Sequence, residues 1–340
     1  MHKGNIELGQ LIQHFEVFNR SEGKSPKTVK WYSDVLNLLL RWLESEDRPT
    51  QLAEIGENEI RAFILYLRDR QINGKPLSTH TIANRVRGIR GFFSWLAAKS
   101  YTDDHVLKDL RLPKTTQTII EPLTLEEIDL LFSNINENTA FGSRNTAILA
   151  LFLDTGLRLS ELVNLKEKDV HLDQRYVKVM GKGSKERIVP LGASCQKALL
   201  HYYHHFRPEP AHAGIEEFFL TLDGFSMEAE AVTSILNRLA KKTGIERLHA
   251  HLLRHTYATR FLLNGGDIFL LKQNLGHSTL AMVEHYRHIA SREAAILSET
   301  FSPLDRMNLK RFRRFRGNHN GVYGAIYPNA GSQRKNSHRG

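Results

Sequence analysis

The sequence predicts a two-domain chain, mainly α with a small β-hairpin or sheet, in which a helical N-terminal domain precedes an α+β domain. Three observations predict it. Apolar residues recur at helical spacing along most of the chain, one stretch instead alternates on both sides of a glycine turn, and an aperiodic segment with two prolines separates the two parts.

The first helix start is Ser25-Pro26-Lys27-Thr28, where serine can cap and proline suits the first turn; Trp31, Val35, Leu38, Leu39, Trp42 and Leu43 follow on one stripe. A second helix runs from about Glu57 to Asp69 with Ile60, Phe63, Ile64 and Leu67, and Asn73-Gly74-Lys75-Pro76 breaks the chain after it. A third begins at Ser78 and carries Ile82, Val86, Ile89, Phe92, Phe93 and Leu96. On its other face Arg85, Arg87 and Arg90 project with Thr79 and Thr81, a mix that suits DNA phosphates and is also the ordinary make-up of a solvated face.

Residues 111–122 hold two prolines and three threonines without a helical period and read as an extended linker, with the boundary near Pro113. Thr124-Leu125-Glu126-Glu127 then opens a helix with a capping-box pattern. Helical patterns continue from Ser143 to Asp154. From about Val170 to Pro190 the character changes: Tyr176-Val177-Lys178-Val179-Met180, a Gly-Lys-Gly-Ser turn and Arg187-Ile188-Val189-Pro190 read as a small hairpin. Helical periodicity returns at 193–206, 228–243, 251–264 and 267–275, and no tandem repeat interrupts it. The expected organisation is therefore a helical domain over 1–112, a linker over 113–122, a second domain over 123–307 and a basic, disordered tail over 308–340.

Composition narrows the function. With 41% hydrophobic and 25% charged residues in 340, each half can bury a core. No run approaches the roughly 18 apolar residues of a membrane span, and the N-terminus lacks a signal-peptide apolar region, so a cytoplasmic protein without membrane partners is expected. Cys195 is the only cysteine, which excludes an intramolecular disulfide and a multi-cysteine zinc site. The net charge of +10 is uneven, because residues 308–340 carry eight Lys or Arg and no acid. DNA affinity in the body of the chain must then come from local arrangement of charge, not from bulk composition.

Four short stretches carry the chemistry: Thr155-Gly156-Leu157-Arg158-Leu159-Ser160-Glu161-Leu162, Gly181-Lys182-Gly183-Ser184-Lys185-Glu186-Arg187, His251-Leu252-Leu253-Arg254-His255, and Leu275-Gly276-His277 followed nine residues later by Tyr286. Arginine, lysine and histidine are donors and cations suited to a phosphodiester, and guanidinium groups neutralise charge that grows on non-bridging oxygens in the transition state. His251, Arg254 and His255 stand at i, i+3 and i+4, on one helical face, from which they can reach a common ligand. Taken singly, each piece has a plainer reading: a surface histidine pair with an ion-paired arginine or a two-histidine metal site for that trio, an exposed hairpin lysine for Lys182, and a half-buried packing residue for Tyr286. Clustered carboxylates with metal-holding spacing are absent, which argues against a metal-dependent nuclease.

In order and spacing the four stretches resemble the tyrosine recombinase (lambda-integrase) family, which includes the Xer recombinases and many mobile-element integrases. The resemblance covers about residues 5–303 and is sharpest at 155–185 and 251–288. It implies that the N-terminal part is a core-binding domain that clamps DNA, with Lys27, Thr28, Thr79, Arg85, Arg87, Arg90 and Lys185 as DNA-contact candidates, and that the second part is the catalytic domain. It also implies Tyr286 as nucleophile, Arg158 and Arg254 on the scissile phosphate, His251 and His277 beside it, Lys182 as general acid with Lys185 a weaker alternative, and Glu161 as a supporting group that orients the cations. The expected reaction needs no cofactor and no metal. The expected partners are double-stranded DNA bearing recombination sites, further copies of the chain in a homotetramer, and accessory recombination proteins. The ending Ser302-Pro303-Leu304-Asp305-Arg306 favours a mobile-element integrase over an Xer-type chromosome-dimer resolvase. A DNA-binding architectural protein without catalysis and a type IB topoisomerase are the other readings; the intact motifs speak against the first, and the separate helical domain and His277 against the second.

Overall fold

The computed structural model describes residues 6–72, 74–115, 120–181 and 186–276. The chain divides into two compact units, Met1–Thr118 and Ile119–Gly340.

The first unit is built from α1 (Leu8–Ser21), α2 (Pro26–Ser45), α3 (Glu57–Asp69) and α4 (Thr79–Ala98). Serine caps start two of them: Ser25 accepts from the Thr28 amide at 3.2 Å and Ser78 from the Thr81 amide at 3.1 Å. The α3 start uses a carboxylate instead, Glu59 accepting from the Gly56 amide at 2.8 Å. Helix α1 has no side-chain cap at Glu7, so nothing in the sequence punctuates its start, yet Leu8, Leu11, Ile12 and Phe15 form a buried stripe at helical spacing. The predicted break at Asn73-Gly74 is a minimal hairpin, with β1 (Gln71–Ile72) paired antiparallel to β2 (Lys75–Pro76). Gly74 sits at φ 73°, the left-handed conformation that a tight hairpin turn requires. Phe15, Leu39, Leu43, Phe63, Val86 and Phe92 are among the side chains that fill the core of this unit.

Among its described residues the second unit holds α5 (Leu125–Ser133), α6 (Ala140–Thr155), α7 (Leu159–Val163), α8 (Ala193–His205), α9 (Ala229–Thr243), α10 (Ala250–Leu263) and α11 (Ile268–Leu275) around one small sheet. That sheet has three strands, not the two of the predicted hairpin: β3 (Val170–His171), β4 (Tyr176–Met180) and β5 (Glu186–Pro190), all antiparallel in the order β3-β4-β5. The strand β3 is two residues long, too short for an alternating pattern to announce it. Val177 and Val179 of β4 and Val189 of β5 turn inward to the core, which also takes Phe152 of α6, Leu199 of α8 and Leu253 of α10.

The predicted capping box is present at α5, where Thr124 and Glu127 exchange bonds of 2.9 and 3.2 Å. The end of the expected linker packs with this unit: Ile120 rests against its core, and the Leu123 amide donates to Thr256 of α10 at 3.0 Å. Helix α6 ends at Gly156, φ 62°. A Cβ there would meet Tyr257 Cδ1 of α10 at 2.3 Å and Leu275 Cδ2 of α11 at 2.9 Å, so glycine both permits the turn and lets two helices close over it.

Candidate active site

Residue Arg158 leaves the α6 turn in extended conformation and precedes the short α7, whose first turn carries Glu161. Four donors converge on the Glu161 carboxylate. The Arg158 amide reaches Oε2 and the Arg158 guanidinium Oε1, each at 2.8 Å. The Arg187 guanidinium reaches the same two oxygens in a fork at 2.9 and 2.8 Å. A fork of this kind fixes the angle of both groups as well as their distance. Burial of Glu161 pushes its carboxyl pKa up, but the Arg187 hydrogen bonds and charge, with the Arg158 donors, outweigh this and leave it below the usual carboxylate value.

The α10 helix supplies Arg254, which is only 3% exposed. Its guanidinium donates to the Gly156 carbonyl at 2.6 Å and to the Leu275 carbonyl at 2.8 Å. One helical turn earlier, His251 keeps much of its surface open to solvent, but desolvation where it meets the protein, reinforced by the charges of Arg254, His249 and Arg158, lowers its pKa. Its ring is thereby kept neutral, and able to accept a proton, near neutral pH.

His255 corrects the expectation that the trio on α10 reaches one ligand. It is 1% exposed, and its Nε2 lies 2.7 Å from the Ile120 carbonyl. Helical spacing put it one residue beyond Arg254, but the packed chain before α5 claims its ring. Arg187 is the reverse case, a residue quoted within a motif without a role that stands at the centre of the charge network. Its own strand gives no sign of this, because Glu161 lies 26 residues away.

Lys182, Lys185, His277 and Tyr286 lie outside the described residues. In the chain, Lys182 and Lys185 fall between the end of β4 at Met180 and the start of β5 at Glu186, and His277 follows Gly276, the left-handed cap of α11.

In the first unit Lys27, Thr28 and Thr79 are exposed in the first turns of α2 and α4. The three arginines of α4 do not share one solvated face. Arg87 is exposed and bonded to Asn84, whereas Arg85 and Arg90 are half-buried. One guanidinium nitrogen of Arg85, Nη1, is enclosed without a hydrogen-bond partner, and burial followed by the neighbouring Arg70 lowers the pKa of the group.

Residues 121–293 match the phage integrase family, and residues 11–103 match the phage integrase N-terminal SAM-like domain. Tyrosine recombinase XerD of Oceanobacillus iheyensis is 32% identical over 300 residues, spanning 87% of this chain and 99% of that protein. XerC of the same organism is 29% identical over 305 residues, with 88% and 97% covered. Among solved structures, the XerH recombinase on its palindromic difH substrate superposes with a TM-score of 0.66 at 22% identity, covering 84% of this chain and 82% of that one. A lambda integrase dimer on a core site gives 0.65 at 19% identity, covering 84% and 78%. The chain belongs to the tyrosine recombinase, or phage integrase, family of DNA strand-transferring enzymes. Its fold is that of the family, a helical SAM-like N-terminal domain and a mostly helical catalytic domain with a small sheet.

Proposed function

We propose that this chain is a site-specific recombinase that cuts and rejoins double-stranded DNA through a 3′-phosphotyrosyl intermediate on Tyr286. The observation that carries the reading is the meeting of sequence-distant cations: Arg158 and Arg187 share Glu161, while Arg254 is tied to the Gly156 turn just before Arg158 and to the end of α11 just before His277. Excess guanidinium charge over carboxylate at one place suits a pentacoordinate phosphorus with growing negative charge.

The Tyr286 hydroxyl attacks the scissile phosphorus, and the P–O5′ bond breaks. The phenol proton passes to a base, for which the neutral ring of His251 is suited, and Lys182 delivers a proton to the departing 5′ oxygen. Arg158, Arg254 and His277 hold the non-bridging oxygens, and Glu161 orients the cations. The phosphotyrosyl bond conserves the energy of the phosphodiester, so the 5′ hydroxyl of a partner duplex displaces Tyr286 without ATP or metal. The first unit serves as the core-binding domain, with Lys27, Thr28, Thr79 and Arg87 open to DNA, and the working assembly is a tetramer on two sites, assisted by accessory proteins in the cytoplasm.

Two biological roles use this chemistry. Integration of a mobile element is supported by the Ser302–Arg306 ending, and chromosome-dimer resolution by the Xer relatives at about 30% identity. Exchange between paired duplexes in EDTA, without ATP, tests the reaction and separates the roles. DNA from the borders of the gene's own element should recombine under the first role, and the host's chromosomal resolution site under the second; no exchange on either would overturn the proposal.

A further inference from the structure

Arg187 is 9% exposed at its side chain and spends three of its donors inside the protein. Two grip Glu161, and Nε donates to the Asn274 carbonyl at 2.8 Å. The last carbonyls of a helix have no partner within it, and here Asn274 and Leu275, the final residues of α11, are received by Arg187 and Arg254 respectively. A Cβ on Gly276 would lie 3.1 Å from Arg187 Nη1, so the guanidinium sits directly under the helix cap. Arg187 is also the second residue of β5, two positions after Lys185 in the chain.

We propose that Arg187 is a positioning residue that sets the Arg158 guanidinium and the end of α11, from which His277 continues, in one register, and that it does so partly by compensating the Glu161 charge. This inference rests on the proposed recombinase reaction. The electrostatic half follows from the count of charges. With Arg187 in place, the Glu161 carboxylate is divided between two guanidinium groups, and Arg158, whose side chain is 36% exposed, retains net positive charge toward solvent. Without it, a buried carboxylate has Arg158 as its one remaining ion-pair partner among the described residues, which draws that guanidinium inward and cancels its charge. The geometric half follows from the Nε bond: without it the Asn274 carbonyl loses its partner, and the α11 cap is held by Arg254 and by the Asn274 amide bond to the Tyr257 hydroxyl at 3.0 Å.

The test compares wild type, Arg187→Lys, Arg187→Met, Glu161→Gln and the double variant Arg187→Met/Glu161→Gln. Covalent adduct formation is followed in single turnover at saturating suicide DNA, DNA affinity is measured separately, and amide hydrogen exchange is read over residues 268–276. Misplacement of a catalytic group by about 1 Å can cost on the order of 100-fold, so Arg187→Met should slow adduct formation about that much while DNA affinity holds. Arg187→Lys, which keeps the charge and loses the fork, should fall between. The double variant should react faster than Arg187→Met alone, because it removes the uncompensated carboxylate. Exchange at the α11 end should quicken in both Arg187 variants. Wild-type adduct rate in Arg187→Lys and Arg187→Met, or a double variant whose defect is the simple product of the two single ones, would overturn the inference; if Arg187→Met does not fold, the Arg187→Lys rate and exchange decide. If wild type forms no adduct on any DNA, the reaction is wrong, and unchanged exchange in Arg187→Lys would then reject the positioning role independently.

Discussion

Glu161 is a carboxylate buried among arginines, and its protonation should be visible in stability. Its folded pKa lies below the usual 4.5, so the folded state binds the proton less readily than the unfolded chain. The associated stability is fully present above pH 4.5 and is lost as pH falls through the lower folded value. Thermal melting of wild type should therefore fall across that acid window more steeply than melting of Glu161→Gln, and parallel curves would contradict the pairing. His251 leads to a kinetic prediction. Its pKa is lowered from 6.5, so as the base for Tyr286 it should give cleavage an acid limb below pH 6.5 that His251→Gln abolishes. For Arg158, loss of one preorganised donor predicts that Arg158→Ala slows cleavage about 10²–10³-fold with DNA binding retained. At this scale the sequence was legible where partners are close along the chain. Arg158 and Glu161 are three apart, and a helical turn suffices to join them. The Arg187 contacts and the burial of His255 were not legible, because each depends on a backbone that only the packed unit brings near.

At the scale of elements, caps decided what the sequence could announce. Ser25, Ser78 and Thr124 begin helices with side-chain bonds whose residue types and spacing can be read directly, and those helices start where predicted. Helix α1 lacks such a bond and β3 lacks length, so both come from tertiary packing rather than local signal. The turn at Gly156 is the element on which the site depends most, since its carbonyl receives Arg254 and Arg158 follows two residues later. Gly156→Ala places a side chain at φ 62°, which costs about 1–3 kcal/mol in the backbone alone, and drives its Cβ to 2.3 Å from Tyr257 Cδ1. Urea unfolding should show a loss at least that large, and a variant as stable as wild type would mean that α10 and α11 do not close over this turn.

At the scale of the whole molecule, the two main cores share no residue among the described ones, one running from Leu8 to Leu110 and the other from Leu123 to Leu253. A fragment of residues 119–340 is therefore expected to unfold cooperatively by itself in urea, followed by circular dichroism; a gradual, non-cooperative loss of helix would show that the second core is incomplete alone. The division into a helical half and a mixed half was legible from periodicity, since the change from helical spacing to alternation at Tyr176–Met180 is local. The central claim concerns Tyr286, and one experiment addresses it most directly. Purified protein is incubated in EDTA with a suicide DNA substrate carrying the element-end or flanking chromosomal sequence, and wild type is compared with Tyr286→Phe for a covalent protein–DNA band. The account predicts a metal-independent adduct that disappears in Tyr286→Phe. An adduct that survives in the variant would place the nucleophile elsewhere, and DNA binding without an adduct from either protein would contradict the proposed chemistry.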